Sequence, residues 1–160
     1  WSTYVDHFKK FNDTHGHDVG DQVLRLVASK LSKISGGGRA YRYGGEEFAL
    51  VFAGKTLEEC MPHLEVIRES IASYSIQLRN QENRPNDDQQ GRQRRAGSGA
   101  SSVSVTVSIG VAERVEQRNP EQVPKSADEA LYSAKGAGRN CVVAFGQNRR
   151  GAVRMDTAAG

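Results

Sequence analysis

The sequence predicts an α/β sandwich of the α+β type, with one mixed central β-sheet flanked by helices. Three observations predict it. Apolar residues recur at three- and four-residue spacings over 20–34 and again after Thr56. They recur at every second residue over 103–111. The two periods also interleave, in the order strand fragment, helix, hairpin, helix, strand, helix, strand.

The first residues read as the end of a strand, followed by a polar loop. Over 20–34, Val23, Leu24, Val27, Leu31 and Ile34 form one helical face. Ser35-Gly36-Gly37-Gly38 ends that helix, because glycine accepts the left-handed conformation that closes a helix. Arg39–Tyr43 and Glu46–Phe52 are strand-like runs joined by Gly44-Gly45, a hairpin signal. Thr56-x-x-Glu59 is a capping box that opens a second helix, with Leu57, Met61, Leu64, Ile67 and Ile71 as its buried stripe.

Residues 79–102 are almost wholly polar and are expected to form a long, exposed, mobile loop. A strand follows in which Val103, Val105, Val107, Ile109 and Val111 alternate with small or polar residues, predicting one buried face. Ser126-x-x-Glu129 predicts the cap of a third helix with Ala130, Leu131 and Ala134 inward and Gly136 and Gly138 at its end. Cys141–Phe145 is a last short strand. The expected organisation is one domain over 1–146 and a mobile tail over 147–160.

The 160 residues suffice for one domain without disulfide or metal support. Hydrophobic residues make up only 37%, and the deficit falls in the polar tract and the tail. No apolar run approaches the roughly 20 residues of a membrane span. The start, Trp1–Asp6, lacks the basic and apolar regions of a signal peptide. Cys60 and Cys141 form no paired motif, so a reducing, cytoplasmic setting is expected. The net charge of +3 is mild. Its basic clusters, Arg92, Arg94 and Arg95, then Arg149, Arg150 and Arg154, lack the interleaved aromatics of a nucleic-acid site, so no nucleic-acid partner is expected.

Three segments could carry chemistry. Gly44-Gly45-Glu46-Glu47-Phe48 sets bare backbone, which a phosphate can approach, beside two carboxylates suited to a hard divalent cation. By itself it is equally a tight turn with an acidic flank. In the segment Asp6 to Asp21, Asn12 and Asp21 could read a base edge and Lys9 could meet a phosphate. The same segment is equally a polar loop with Asp18 or Gly20 as helix cap. Lys135 and Arg139 follow the last helix and could neutralise phosphate. Taken singly, they read first as cations favoured by a helix C-terminus.

Five motifs in order go further: Asp6-His7-Phe8-Lys9-x-x-Asn12-Asp13, Gly16-His17-x-x-Gly20-Asp21, Arg42-Tyr43-Gly44-Gly45-Glu46-Glu47-Phe48, Ser108-Ile109-Gly110-Val111-Ala112, and Ala130-Leu131-Tyr132-x-Ala134-Lys135-x-x-Gly138-Arg139-Asn140. From Tyr4 to Phe145 the chain resembles the GGDEF domains, the diguanylate cyclases. The resemblance implies a fold related to the palm of nucleotidyl cyclases and polymerases. It implies condensation of two GTP into cyclic di-GMP and two pyrophosphates across a homodimer, with Mg²⁺ or Mn²⁺.

On the matching positions, Asn12 and Asp21 would read guanine. Phe8, Lys9, Gly44, Gly45, Lys135 and Arg139 would bind the rest of the substrate. Glu46, Glu47 and the Val5 backbone carbonyl would meet the metal, with Glu46 and Glu47 as the catalytic pair. The resemblance also implies a sensor domain upstream and no membrane contact by this domain, with any membrane anchor lying elsewhere in the full-length protein.

The sequence departs from the family pattern in two places. The family's metal aspartate two positions before Asp6 is Tyr4 here, and the family's first helix is missing ahead of it. The Arg-x-x-Asp that binds product in many members is Ser35 and Gly38. The first departure raises a second reading, a catalytically silent module that binds GTP or dimerises to regulate an attached domain.

Overall fold

The computed structural model describes residues 1–78, 102–114 and 119–146. The expected loop over 79–102, apart from Ser102, and the expected tail over 147–160 lie outside the described residues.

Among the described residues the elements are β1 (Ser2–Val5), α1 (Phe8–His15), α2 (His17–Ser32), β2 (Arg39–Gly44), β3 (Glu47–Val51), α3 (Leu57–Ala72), β4 (Ile76–Gln77), β5 (Ser102–Val103), β6 (Val107–Val111), α4 (Gln122–Gly136) and β7 (Val142–Ala144). Five strands form one sheet in the order β2-β3-β1-β6-β7. Only β6 and β7 pair in parallel, so the sheet is mixed, as the sequence predicts. The fold class is therefore α+β, with helices α2 and α3 packed together and α4 lying on β6.

The local signals hold where they are local. The capping box at Thr56 is complete: its hydroxyl accepts from the Glu59 N–H at 3.2 Å, and Glu59 accepts from the Thr56 N–H at 2.8 Å. The stripe it introduces buries Leu64, Ile67 and Ile71. The hairpin forms around Gly45, whose φ of 50° is the positive value the turn requires. Arg42 closes that turn by donating from Nε and Nη2 to the Gly45 carbonyl at 3.2 and 2.9 Å.

Four expectations need correction. The polar loop after β1 is a helix, α1, because Phe8 and Phe11 stand one turn apart and pack on the core. Two aromatics are too few to show as a period. The next helix starts at His17 behind Gly16, so neither Asp18 nor Gly20 caps it. The run 103–111 is two pieces: β5 pairs with β4 in a separate ribbon, and β6 joins the main sheet. Every residue of β6 is buried, not one face, because the strand is central and both α3 and α4 pack on it. A Cβ at Gly110 would strike the backbone of α4 at Ala127 and Leu131, so that glycine sets how closely the helix lies. Lastly, α4 opens at Gln122, which leaves Ser126 inside the helix and not at its cap. Pro124 falls in the first turn, where a missing N–H costs nothing.

Candidate functional site

The end of β1 is where the candidate residues meet. Tyr4 lies opposite Glu47 of β3 on one side and Ser108 of β6 on the other. The Val5 N–H donates to the Glu46 carbonyl at 3.2 Å, which fixes the hairpin turn against the strand end. The Glu46 carboxylate stands near enough to the Tyr4 phenol to act on it electrostatically. Partial burial, with the negative charge of Glu46 next, pushes the phenol pKa above its usual value, so it remains a protonated donor.

From the opposite direction, α4 brings its last turn over β1. Lys135 Nζ stands 3.4 Å from the centroid of the Tyr4 ring. Arg139 follows at φ 67°, and its charge opposes the rise in the Tyr4 pKa. The turn carrying Arg139 is tied down by Asp6, a residue to which the sequence by itself assigns no role. The buried Asp6 carboxylate accepts from Thr106 Oγ1 at 2.7 Å, from Ser108 Oγ at 2.6 Å and from the Asn140 N–H at 3.0 Å. Three donors on one buried carboxylate join β1, β6 and the turn after α4. The signal is present in the motif that starts at Asp6, but its partners lie 100 or more positions away in the chain.

A second cluster forms where α1 meets α2. Phe8 is buried at the start of α1, and Asn12 lies one turn on. Gly20 of α2 sits against both: a Cβ there would overlap the Asn12 amide and approach Phe8 Cζ to 3.2 Å. Asn12 Oδ1 is buried against Gly20 without a hydrogen-bond partner, and Asp21, the next residue of α2, is exposed. Lys9 is exposed on α1. The structure thus brings Glu46, Glu47, Val5, Lys135 and Arg139 around Tyr4, and groups Phe8, Asn12 and Gly20 next to Asp21.

Mg²⁺ takes near-octahedral oxygen ligands, usually including one or two carboxylates. Here Tyr4, a neutral phenol, stands near Glu46, and an ammonium lies over its ring. Among the described residues no group of three or more His, Cys, Asp and Glu side chains is placed to hold a metal ion. As arranged, the donors do not fit a divalent cation held by the protein itself.

The chain matches the family profile described as "Diguanylate cyclase, GGDEF domain" over residues 3–90 and 88–141. It is 39% identical over 140 residues to the diguanylate cyclase VdcA of Vibrio cholerae, covering 87% of this chain and 36% of that protein. It is 37% identical over 141 residues to the response regulator PleD of Caulobacter vibrioides, covering 87% of this chain and 27% of that protein. The chain thus spans about a third of the length of these relatives. Among solved structures, the GGDEF domain of DgcB from Caulobacter crescentus, in complex with c-di-GMP, superposes with a TM-score of 0.75 at 36% identity, covering 91% of this chain and 74% of that one. The active GGEEF domain of a diguanylate cyclase from Vibrio cholerae superposes at 0.70 with 26% identity, covering 92% and 81%. With a profile that spans nearly all of the described core and relatives above 30% identity over most of its length, this chain belongs to the GGDEF-domain family of diguanylate cyclases.

Proposed function

We propose that this domain binds GTP between the Asn12–Asp21 cluster and the Glu46–Glu47 turn, and serves the synthesis of cyclic di-GMP. The observation that carries the reading is the convergence on the end of β1. The turn carboxylates come from one side, and Lys135 and Arg139 of the α4 end come from the other. In this reading Asp21 accepts from the guanine N–H groups, and the Asn12 amide adds a further hydrogen bond to the base. Phe8 packs under the nucleotide, and Lys9, Lys135 and Arg139 neutralise phosphate charge. Gly44 and Gly45 let the triphosphate approach the backbone.

Two copies then face each other, each with one GTP. The 3′-oxygen of one nucleotide attacks the α-phosphorus of the other, and the bond to the leaving pyrophosphate breaks. The reciprocal step closes the ring. In this reading Glu47, exposed at the start of β3, takes the hydroxyl proton, and positioning supplies most of the rate. Mg²⁺ or Mn²⁺ contributes charge neutralisation when bound. The donors of Glu46, Glu47 and the Val5 carbonyl do not hold it alone, so the ion enters with the nucleotide.

One observation favours the second reading. Tyr4 puts a neutral phenol, with the Lys135 ammonium over its ring, near the Glu46 carboxylate that the reaction needs. In that reading the domain binds GTP and regulates an attached domain with little turnover. Pyrophosphate release from GTP and Mg²⁺ separates the two. Release that is lost in Glu46→Gln and Glu47→Gln supports the cyclase. GTP binding without release in the unmodified chain supports the regulatory module.

A further inference from the structure

The turn that carries Arg139 is held from two sides. Arg139 and Asn140 have φ of 67° and 47°, values that non-glycine residues keep only where neighbouring contacts impose them. One contact is the Asn140 N–H on the Asp6 carboxylate at the end of β1. The other comes from α3, a helix that bears none of the candidate site residues. Arg68 Nη1 donates to Asn140 Oδ1 at 2.8 Å, across 72 positions of sequence.

Arg68 is itself fixed. Its Nε pairs with Glu65 Oε2 at 2.9 Å and its Nη2 with Glu69 Oε1 at 3.4 Å. Among the described residues no other lysine or arginine stands in an ion pair. Only 15% of the Arg68 side chain is exposed. A planar guanidinium with every nitrogen engaged keeps one orientation, which an ammonium on a flexible stem does not. The Asn140 amide therefore meets a donor already in place. The Asn140 N–H belongs to the peptide that joins it to Arg139. Fixing that N–H and the Asn140 side chain together sets the backbone from which the Arg139 side chain departs. A cation on a backbone held in this way has less freedom to lose when an anion arrives.

We propose that Arg68 is a positioning residue for nucleotide binding: through Asn140 it holds the backbone of Arg139, so that this guanidinium meets the triphosphate preorganised. The proposal rests on the GTP site above and adds to it a residue of α3 that touches no ligand in that reading.

The test is calorimetric titration with a GTP analogue carrying a methylene bridge between the α- and β-phosphates, in excess Mg²⁺. It compares the unmodified chain with Arg68→Ala, Arg139→Ala and the double variant. Arg139→Ala is expected to weaken binding by about tenfold, through loss of a charge-assisted contact. Arg68→Ala is expected to weaken it by about fivefold, through lost preorganisation. The double variant is expected to match Arg139→Ala within about twofold, because nothing is left for Arg68 to position. A residue that only supports the fold would weaken binding in both backgrounds, so a further loss of about fivefold in the double variant overturns the proposal. Unchanged affinity in either single variant also overturns it and leaves the rest of the GTP site standing. Asn140→Gly serves where Arg68→Ala does not fold. Glycine takes a φ of 47° freely and keeps the N–H that Asp6 accepts from, so only the Arg68 contact is removed. The same loss of about fivefold is expected there, absent once Arg139 is alanine, and unchanged affinity in Asn140→Gly overturns the proposal. Failure of the unmodified chain to bind the analogue overturns both the GTP site and the role of Arg68.

Discussion

Asp6 Oδ2 accepts a hydrogen bond from the backbone N–H of Asn140 at 3.0 Å, across 134 positions of sequence. The contact joins the end of β1 to a turn in which Gly138, Arg139 and Asn140 all have positive φ. Non-glycine residues adopt that conformation at a cost, and neighbouring structure must hold them there. The Asp6 carboxylate is the holding group, and it is shared with Thr106 and Ser108.

Asp6→Ala should therefore strip the acceptor from three donors at once. The expected loss is about 2–4 kcal/mol of unfolding free energy, since buried donors left unpaired each cost about 1–3 kcal/mol and the hydroxyls can partly re-pair. GTP affinity should also fall, because Arg139 loses its anchor. Denaturant unfolding together with nucleotide titration checks both. Unchanged stability would show that the three bonds are not formed in solution.

Gly20→Ala should leave the fold intact and weaken guanine binding. The added methyl overlaps the side-chain amide of Asn12, which can swing aside, and the helix itself prefers alanine to glycine by about 1 kcal/mol. The expected result is near-normal thermal stability with about a tenfold loss in affinity for a GTP analogue, equivalent to about 1.4 kcal/mol. Full affinity would separate Asn12 from guanine recognition.

Thr56→Ala should remove the hydroxyl arm of the capping box and destabilise by about 1 kcal/mol at neutral pH. The Thr56 N–H, chiefly, holds the Glu59 carboxyl below the ordinary carboxylate range. A depressed carboxyl stabilises the fold above its ordinary pKa, and that share disappears as pH falls through the depressed value. Glu59→Gln, which removes the titrating carboxylate, should therefore differ from the unmodified protein less in acid than at neutral pH. Unfolding curves at neutral and acidic pH measure it, and a gap that widened in acid would contradict the assignment.

Product should accumulate linearly in a cyclase assay until GTP runs low. Ser35 hydrogen-bonds to His63 at 2.7 Å, and Gly38 abuts Phe52 so closely that a Cβ there would stand 2.7 Å from the ring. Neither position offers a charge to cyclic di-GMP. Early curvature, relieved by removing product, would mean that product binds elsewhere with effect.

The capping box, the Gly44-Gly45 hairpin and the amphipathic faces of α2 and α3 were legible because their causes lie within a few residues. A hydroxyl caps the amide three positions on, and a turn needs its own glycine. The family motifs were legible for the same reason, as short runs of fixed spacing. The helix α1 escaped because two aromatics one turn apart carry its whole apolar face. The double burial of β6 escaped because its neighbours, not its pattern, decide which faces are covered, and the topology places it between β1 and β7.

The same logic divides the candidate site. The sequence alone named Glu46, Glu47, Asn12, Asp21, Lys135 and Arg139, and it showed tyrosine at position 4. Only the tertiary structure put the Lys135 ammonium on the Tyr4 ring and the Asp6 carboxylate under Asn140. Those contacts exist because β7 pairs in parallel with β6, which forces α4 to cross the sheet and end above β1. Local spacing sets which side chains an element carries, but chain closure over a hundred residues sets what they meet.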